Sequence, residues 1–332
     1  MKKAKQLFAE FATTVDLTAI PDYEINTGEI IVDIIESAPT LSELTPLTGV
    51  KPGTTRNLNI MNTDIVWQTG DCVTTPEGNV ELKPRPVTCI RVTDRMEMCL
   101  DQFEAKLPMI MRAGQKNEDL PFAAQFVDFK KKLNTKELEK LAWAGNTATG
   151  TGNLEVTNGY VKLALLEAGD LGYNDAVGAF NVSTAVGIVQ DFLDARTDAQ
   201  REIENFTIYM SPANYSILAN SLVAAFGANG TGYYTNLGNP NVDSKNQEFI
   251  FPGTDVRIKA TFGLSKQYHG NKDYLFATGT QNLRYVTDLE SDMENFELYF
   301  DKYHKALVSD LVFAIGFQYE FASQVMLLEV ND

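Results

Sequence analysis

The spacing of apolar positions changes along the chain, and each change marks a different kind of element. Residues 20–56 carry short apolar runs (Ile30, Ile31, Val32, Ile34, Ile35) broken by Pro39, Pro46 and Pro52-Gly53, which predicts an extended arm with little core of its own. Over 57–92, Leu58, Ile60, Ile65 and Trp67 lead through Gly70-Asp71 to Pro76-Glu77-Gly78-Asn79, after which Val80, Leu82, Val87, Ile90 and Val92 return. Proline presets φ at the first central position of a turn and glycine tolerates positive φ, so this stretch reads as a hairpin with its tip near 76–79. Pro84 and Pro86 cannot donate to a ladder, so the returning strand is expected at an edge. Arms of about 15 residues at roughly 3.3 Å each would reach about 50 Å. A two-stranded ribbon that long is marginal alone and needs another surface to lie on.

The pattern then turns helical. Leu120, Phe122, Phe126, Phe129 and Leu133 share one face, and Leu138, Leu141 and Trp143 continue until Gly145-Asn146. Asp119 as cap and Pro121 in the first turn suit a start there. One long helix over 119–144 is therefore predicted, with two shorter ones meeting at Asn134-Thr135 as the alternative. A helix over 183–198 is expected with Ser183 as cap and Val186, Val189, Phe192 and Leu193 inward. A strand at 206–210 runs into Ser211-Pro212, a strong helix start, and the helix over 212–226 carries Tyr215, Leu218, Leu222 and Phe226. Strands follow at 249–251, 256–262, 274–276, 283–287, 296–300, 306–317 and 324–329. Ribbon, helices and then strands, segregated in this order, predict an α+β fold.

Composition narrows the function classes. An apolar fraction of 44% and a charged fraction of 22% are ordinary for a globular chain of 332 residues, with no internal repeat. No run approaches the roughly 20 apolar residues of a membrane-crossing helix. Glu10 and Asp16 interrupt any signal-peptide core, so a short amphipathic helix bearing Leu7, Phe8 and Phe11 is expected, in a protein that stays in the cytosol. Cys72, Cys89 and Cys99 are too few, and odd in number, for a disulfide framework. The net charge of −16, with Lys130-Lys131-Lys132 as the densest basic run, argues against a protein whose main task is gripping phosphates.

Little points to chemistry. The two histidines, His269 and His304, lie in polar stretches that look exposed, without a metal-ligand partner at zinc spacing. The loop 145–152 is glycine-rich but lacks the Lys-Ser/Thr of a phosphate-binding loop, and reads as a helix-to-strand connection. Asp288, Glu290, Asp292 and Glu294 alternate and read as a solvated strand edge, with a weak cation site or an ionic contact to a neighbouring subunit as alternatives. They do not match an EF-hand loop, because Met293 and Tyr299 stand where glycine and glutamate belong. No GxSxG elbow is present. No cofactor, metal or catalytic residue is assigned, and an enzyme is not expected.

The order of elements resembles the Hong Kong 97-type (HK-97-like) capsid fold of tailed bacteriophages. The arm leading into the 57–92 hairpin looks like the family's extended loop. The 119–144 helix, its glycine-rich exit and Asn158-Gly-Tyr-Val-Lys look like the spine helix. Asn205-Phe-Thr-Ile-Tyr-Met-Ser-Pro-Ala-Asn-Tyr resembles the axial-domain core, and Thr278-Gly-Thr-Gln-Asn-Leu with Ala314-Ile-Gly-Phe-Gln resembles the return to the peripheral domain. The resemblance implies an arm (1–56), an extended loop (57–92), a peripheral domain with the spine helix (93–160), an axial domain (161–282) and return strands (283–332). It implies a major capsid protein that self-assembles as hexamers and pentamers into an icosahedral virion shell. The shell would enclose double-stranded DNA without sequence-specific binding or membrane contact, after synthesis in the bacterial cytoplasm. Portal and scaffolding proteins, and decoration proteins, are the implied partners. The family's scaffolding segment of about a hundred residues is not recognised before the hairpin, so a separate scaffold or a cleaved precursor is expected. Leu58, Ile60, Ile65, Trp67, Val80 and Leu82 are the expected inter-subunit contacts. The rival readings are an encapsulin-like nanocompartment shell, and a soluble enzyme or ligand-binding protein with a site built from scattered residues.

Overall fold

The computed structural model describes residues 34–35, 37–63, 80–99, 122–226, 248–288, 295–301 and 306–331. Its elements form an α+β fold with three sheets. The ribbon is an antiparallel pair, β1 aside: that first short strand (Thr45–Leu47) joins another sheet, while β2 (Thr55–Thr63), among the described residues, pairs only with β3 (Val80–Thr88). Pro84 and Pro86 face Asn59 and Asn57 across this ladder. The ribbon ends at Thr88. Ile90 and Val92, expected within the hairpin, instead begin β4 (Ile90–Cys99), which belongs to a five-stranded sheet.

That sheet is organised by one long strand, β12 (Ala306–Tyr319). It pairs on one side with β4, and on the other with β10 (Leu283–Thr287) and β11 (Asn295–Asp301) in succession. β1 adds to β10 in parallel. Gly316 lies where β12 passes the turn between ribbon and sheet. A Cβ there would sit 2.2 Å from the Thr88 carbonyl oxygen, so only glycine allows this approach.

The second sheet has six strands in the order β5 (Tyr173–Val177), β13 (Met326–Val330), β9 (Asp273–Gly279), β6 (Phe206–Met210), β8 (Arg257–Ala260), β7 (Glu248–Ile250). It is covered on both faces, which explains why Phe206-Thr-Ile-Tyr-Met210 is buried at all five positions and shows no alternation. One face presents Ile208, Met210, Leu275, Ala277, Met326 and Leu328 to a core shared with two helices, α3 (Ala185–Asp194) and α5 (Pro212–Phe226). The other face presents Tyr209, Phe276 and Leu327 to a second core. That core also takes Leu138, Leu141 and Trp143 from α1 (Phe122–Ala144), Tyr160 and Val161 from α2 (Tyr160–Leu166), and Phe313, Ile315 and Phe317 from β12. Trp143 is its centre, with ring centroids 4.8 Å from Tyr209, 5.3 Å from Phe276 and 5.5 Å from Tyr160.

Helix α1 is continuous for 23 residues, about 35 Å at 1.5 Å each. Asn134 and Thr135 do not break it, because both side chains find tertiary partners. Asn134 Nδ2 donates to Asp94 Oδ2 at 3.1 Å and Thr135 Oγ1 donates to the Ile34 carbonyl at 3.3 Å. The loop after α1 leads to another helix, α2, and not to a strand. Ser211 caps α5 as expected, its Oγ accepting from the Asn214 N–H at 3.2 Å. The helix expected over 183–198 is shorter. It starts after Thr184, with the Asn181 side chain accepting from the N–H groups of Ser183 and Thr184, so Ser183 is not its cap. It ends at Asp194, and a separate turn, α4 (Asp198–Arg201), follows with its own capping box from Thr197 and Gln200.

Candidate inter-subunit surface

The ribbon is fastened at its root. The Arg85 guanidinium pairs with the Glu167 carboxylate and lies 4.2 Å above the Tyr319 ring. Tyr319 donates its hydroxyl to Glu167 Oε2 at 2.8 Å. Burial, with the neighbouring Glu167 carboxylate, pushes the Tyr319 phenol far up, so it stays a donor at any ordinary pH. Gln318 Nε2 donates to the Pro86 carbonyl at 3.0 Å. Beneath these contacts, Val87 and Cys89 are buried with Val50, Val286 and Ala314, and Leu58 packs half-buried against them.

Of the six expected contact residues, Leu58 therefore packs within its own chain. Ile60, Val80 and Leu82 lie in the ladder, and Ile65 and Trp67 fall outside the described residues. Leu58 pairs with Arg85, Ile60 with Lys83, Met61 with Leu82 and Thr63 with Val80. Because strand positions alternate between faces, this register puts positions 58 and 60 on one face of the ribbon and positions 80 and 82 on the other.

A second exposed surface lies on α1. Phe129 and Leu133 do share a face, but it looks outward, with the side chains 56% and 40% exposed. Lys132 and Lys136 are exposed beside them. The opposite side of the same stretch is held to β4 by Lys130, whose Nζ lies 2.7 Å from Asp94 Oδ2. Phe262 (68%), Ile250 (62%) and Leu166 (61%) are further large apolar side chains left in the open.

The arm is locked to α1 around the buried Glu139. Its Oε2 accepts from the Thr40 N–H at 3.1 Å, and its Oε1 accepts from the hydroxyls of Thr40 and Thr261 (2.7 Å for the latter) and from Trp143 Nε1 at 3.3 Å. Nearby, the buried Lys259 donates to the Pro39 carbonyl and to Glu43 Oε1, both at 2.7 Å. Arm, helix and six-stranded sheet are thus joined by one polar cluster.

Two expectations about titratable groups change. His269 is half-buried, not exposed: its Nε2 lies 2.8 Å from the Gly263 carbonyl and its ring meets Tyr274 edge-on at 5.5 Å. Burial holds its pKa below the usual imidazole range, only partly offset by that carbonyl. Asp288 is not on a solvated edge. It is 2% exposed at the end of β10, while Glu290, Asp292 and Glu294 lie outside the described residues, as does His304. The 145–152 loop lines a cleft of about 460 Å³ with Lys162, Tyr268 and His269. Among the described residues no group of three His, Cys, Asp or Glu side chains is placed to hold a metal ion, and no helix is long and apolar enough to cross a membrane.

No protein-family model and no curated protein sequence matches the chain. Solved structures do. A chain of the satellite phage P4 procapsid, in a structure that includes the size determination (Sid) protein, aligns with a TM-score of 0.60 at 10% identity, covering 98% of both chains. A chain of Gordonia phage Cozz aligns at 0.56 and 8% identity, covering 89% of this chain and 87% of that one. A chain from the capsid of Myoviridae phage XM1 aligns at 0.51 and 12% identity, covering 87% and 90%. At such identities the likeness is one of fold, and it runs over nearly the whole length of each chain: the protein has the Hong Kong 97-type fold.

Proposed function

We propose that this chain is the major capsid protein of a tailed bacteriophage, assembling with copies of itself into a closed icosahedral shell around double-stranded DNA. The observation that carries this reading is the whole-chain likeness to a P4 procapsid chain, with 98% of each covered. A partial likeness would leave room for a shared domain in a different kind of protein. The surface supports the same reading. A two-stranded ribbon with neither edge paired to a further strand in the described sheets, and large apolar side chains open on several elements, suit a subunit that completes its burial on its neighbours. Portal, scaffolding and decoration proteins are the partners such a shell would need. The net charge of −16 suits DNA confined by the shell without sequence-specific binding.

The test is negative-stain electron microscopy with light scattering on the protein made alone and with its neighbouring genes. Shells, tubes or rings of five or six subunits are expected. A stable monomer or dimer, even beside a candidate scaffold, would remove the proposal. As a sharper check, Trp67→Ala is expected to leave the subunit folded and to impair assembly. Normal assembly of that variant, or its failure to fold, would take the contact role away from Trp67.

A further inference from the structure

We propose that the cleft beside the 145–152 loop binds a small organic anion, a phosphate or carboxylate carried on a flat ring, with Lys162 as its cationic anchor. The cleft measures about 460 Å³, inside the range of roughly 300–1,000 Å³ usual for small-molecule sites. Three separate parts of the chain wall it: the loop after α1, helix α2 and the turn from Lys266 to Gly270. The loop wall is built and not slack. Asn146 Oδ1 accepts from the N–H groups of Ala148 and Thr149 at 3.0 and 3.2 Å. A Cβ at Gly145 would sit 2.3 Å from the Thr157 carbonyl oxygen, and one at Gly150 2.4 Å from that of Asn146, so only glycine allows the chain to fold back so closely here.

Charge decides the class of ligand. The chain has 44 Asp and Glu residues, yet among the described residues none of them lines this cleft. Two carboxylates that approach its aromatic walls are already engaged. Glu137 pairs with Lys140 at 2.6 Å, and that ammonium lies 5.3 Å from the centroid of the Tyr268 ring. Glu329 pairs with Lys272 at 2.7 Å and accepts from the Tyr274 hydroxyl at 3.5 Å. Lys162, by contrast, is partly buried and has neither an ion pair nor a hydrogen bond among the described residues. Burial keeps His269 neutral near pH 7, with Nε2 against the Gly263 carbonyl, so Lys162 is the positive charge of the cleft. An ammonium without a carboxylate, in a partly enclosed site, favours an oxyanion through a charge-assisted hydrogen bond. Neutral donors stand near it: Thr149 Oγ1 accepts from Asn146 Nδ2 at 2.6 Å and keeps its own proton to give, and Thr151 and Tyr268 bring further hydroxyls. Leu154, Leu165 and the Tyr268 ring supply the apolar surface for the body of the ligand.

The test is isothermal titration calorimetry of the full chain, kept unassembled, with two matched pairs of probes: adenosine 5′-monophosphate against adenosine, and benzoate against benzamide. At least one anion is expected to bind about tenfold or more tightly than its neutral counterpart, the scale of a hydrogen bond to a charged group. Preference confined to the first pair assigns a phosphate, and preference confined to the second assigns a carboxylate. Lys162→Gln should bring the favoured anion down to the affinity of its neutral counterpart. Leu165→Glu, which sets a carboxylate in the wall at an exposed position, should weaken that anion further than Leu165→Gln does. Neither anion exceeding its neutral counterpart in the parent, or a preference that survives in Lys162→Gln, would overturn the proposal. The measurement does not depend on assembly, so a negative result here leaves the shell reading to its own test.

Discussion

Glu139 is the residue whose removal should loosen the arm from the rest of the molecule. Its side chain takes hydrogen bonds from the Thr40 N–H, the Thr40 and Thr261 hydroxyls and Trp143 Nε1. In Glu139→Ala, Trp143 keeps a partner, because its Nε1 also lies 3.0 Å from Thr40 Oγ1. The Thr40 N–H and the Thr40 and Thr261 hydroxyls lose theirs in a buried site. Each buried donor left unpaired costs roughly 1–3 kcal/mol, and the vacated volume adds to this, so a loss of about 3–5 kcal/mol is expected. Glu139→Gln keeps the shape and one carbonyl acceptor, while its amide now points donors at donors, which should cost about 1–2 kcal/mol. Urea unfolding of the unassembled subunit, followed by far-ultraviolet circular dichroism, measures both values. A Glu139→Ala cost within about 1 kcal/mol of zero, or a Glu139→Gln cost equal to that of alanine, would refute the view that this carboxyl group holds the cluster.

Arg85→Ala removes a partly exposed ion pair and a cation–π contact, together worth about 1 kcal/mol of subunit stability. Its larger effect should be on the ribbon, whose β2 and β3 amides are expected to exchange with deuterium faster than in the parent; unchanged exchange would show that Arg85 does not fasten the ribbon's root. His269 provides a pH signature. Its pKa is lowered in the fold, so the unfolded chain binds a proton first as pH falls. Stability should be level above the unfolded imidazole value of 6.5 and decline as pH drops through the window below it. His269→Gln should flatten that decline, and a profile identical in both proteins would show that another group causes it.

Strong local signals placed some elements to the residue: β6 ends where Ser211-Pro212 starts α5, because cap and proline act at short range. The stripe of Phe129 and Leu133 was equally legible, but a stripe records only that residues share a face. Here the core lies on the other side, where Lys130 and Asn134 reach Asp94, so polar side chains hold the helix to the sheet while the phenylalanine stays open. Strand β5 escaped notice because Tyr-Asn-Asp-Ala-Val is largely exposed and owes its conformation to parallel pairing with β13, more than a hundred and fifty positions away. His269 looks exposed in a polar turn. It is half-buried because the segment from Thr261 folds onto α1, with Gly263 so close to Trp143 that a Cβ would come within 2.6 Å. Positions 58, 60, 80 and 82 were legible as apolar, but not their division between two faces, since that depends on the pairing register of β2 with β3, which apolar spacing alone does not set.

That division bears on how the ribbon would meet a neighbour in the proposed shell. Near the root, the face carrying position 58 rests on the subunit's own cluster of Val50, Val87 and Cys89, and position 60 continues that face outward. Positions 80 and 82 look the other way. A ribbon lying flat on a single neighbour would bury one of these faces and leave the other to solvent; a ribbon enclosed between subunits would bury both. Lysine at Ile60 and lysine at Leu82 separate the two arrangements, since burying an unpaired charge costs several kcal/mol at each copy of the contact and the cost recurs across the lattice. If both variants fold but neither assembles, the ribbon is enclosed. If only Ile60→Lys is blocked, the neighbour lies beneath the root-facing side, and if only Leu82→Lys is blocked it lies over the opposite one. Should both variants assemble as readily as the parent, measured by light scattering over a range of concentrations, the described part of the ribbon makes no close apolar contact and the argument from its register fails.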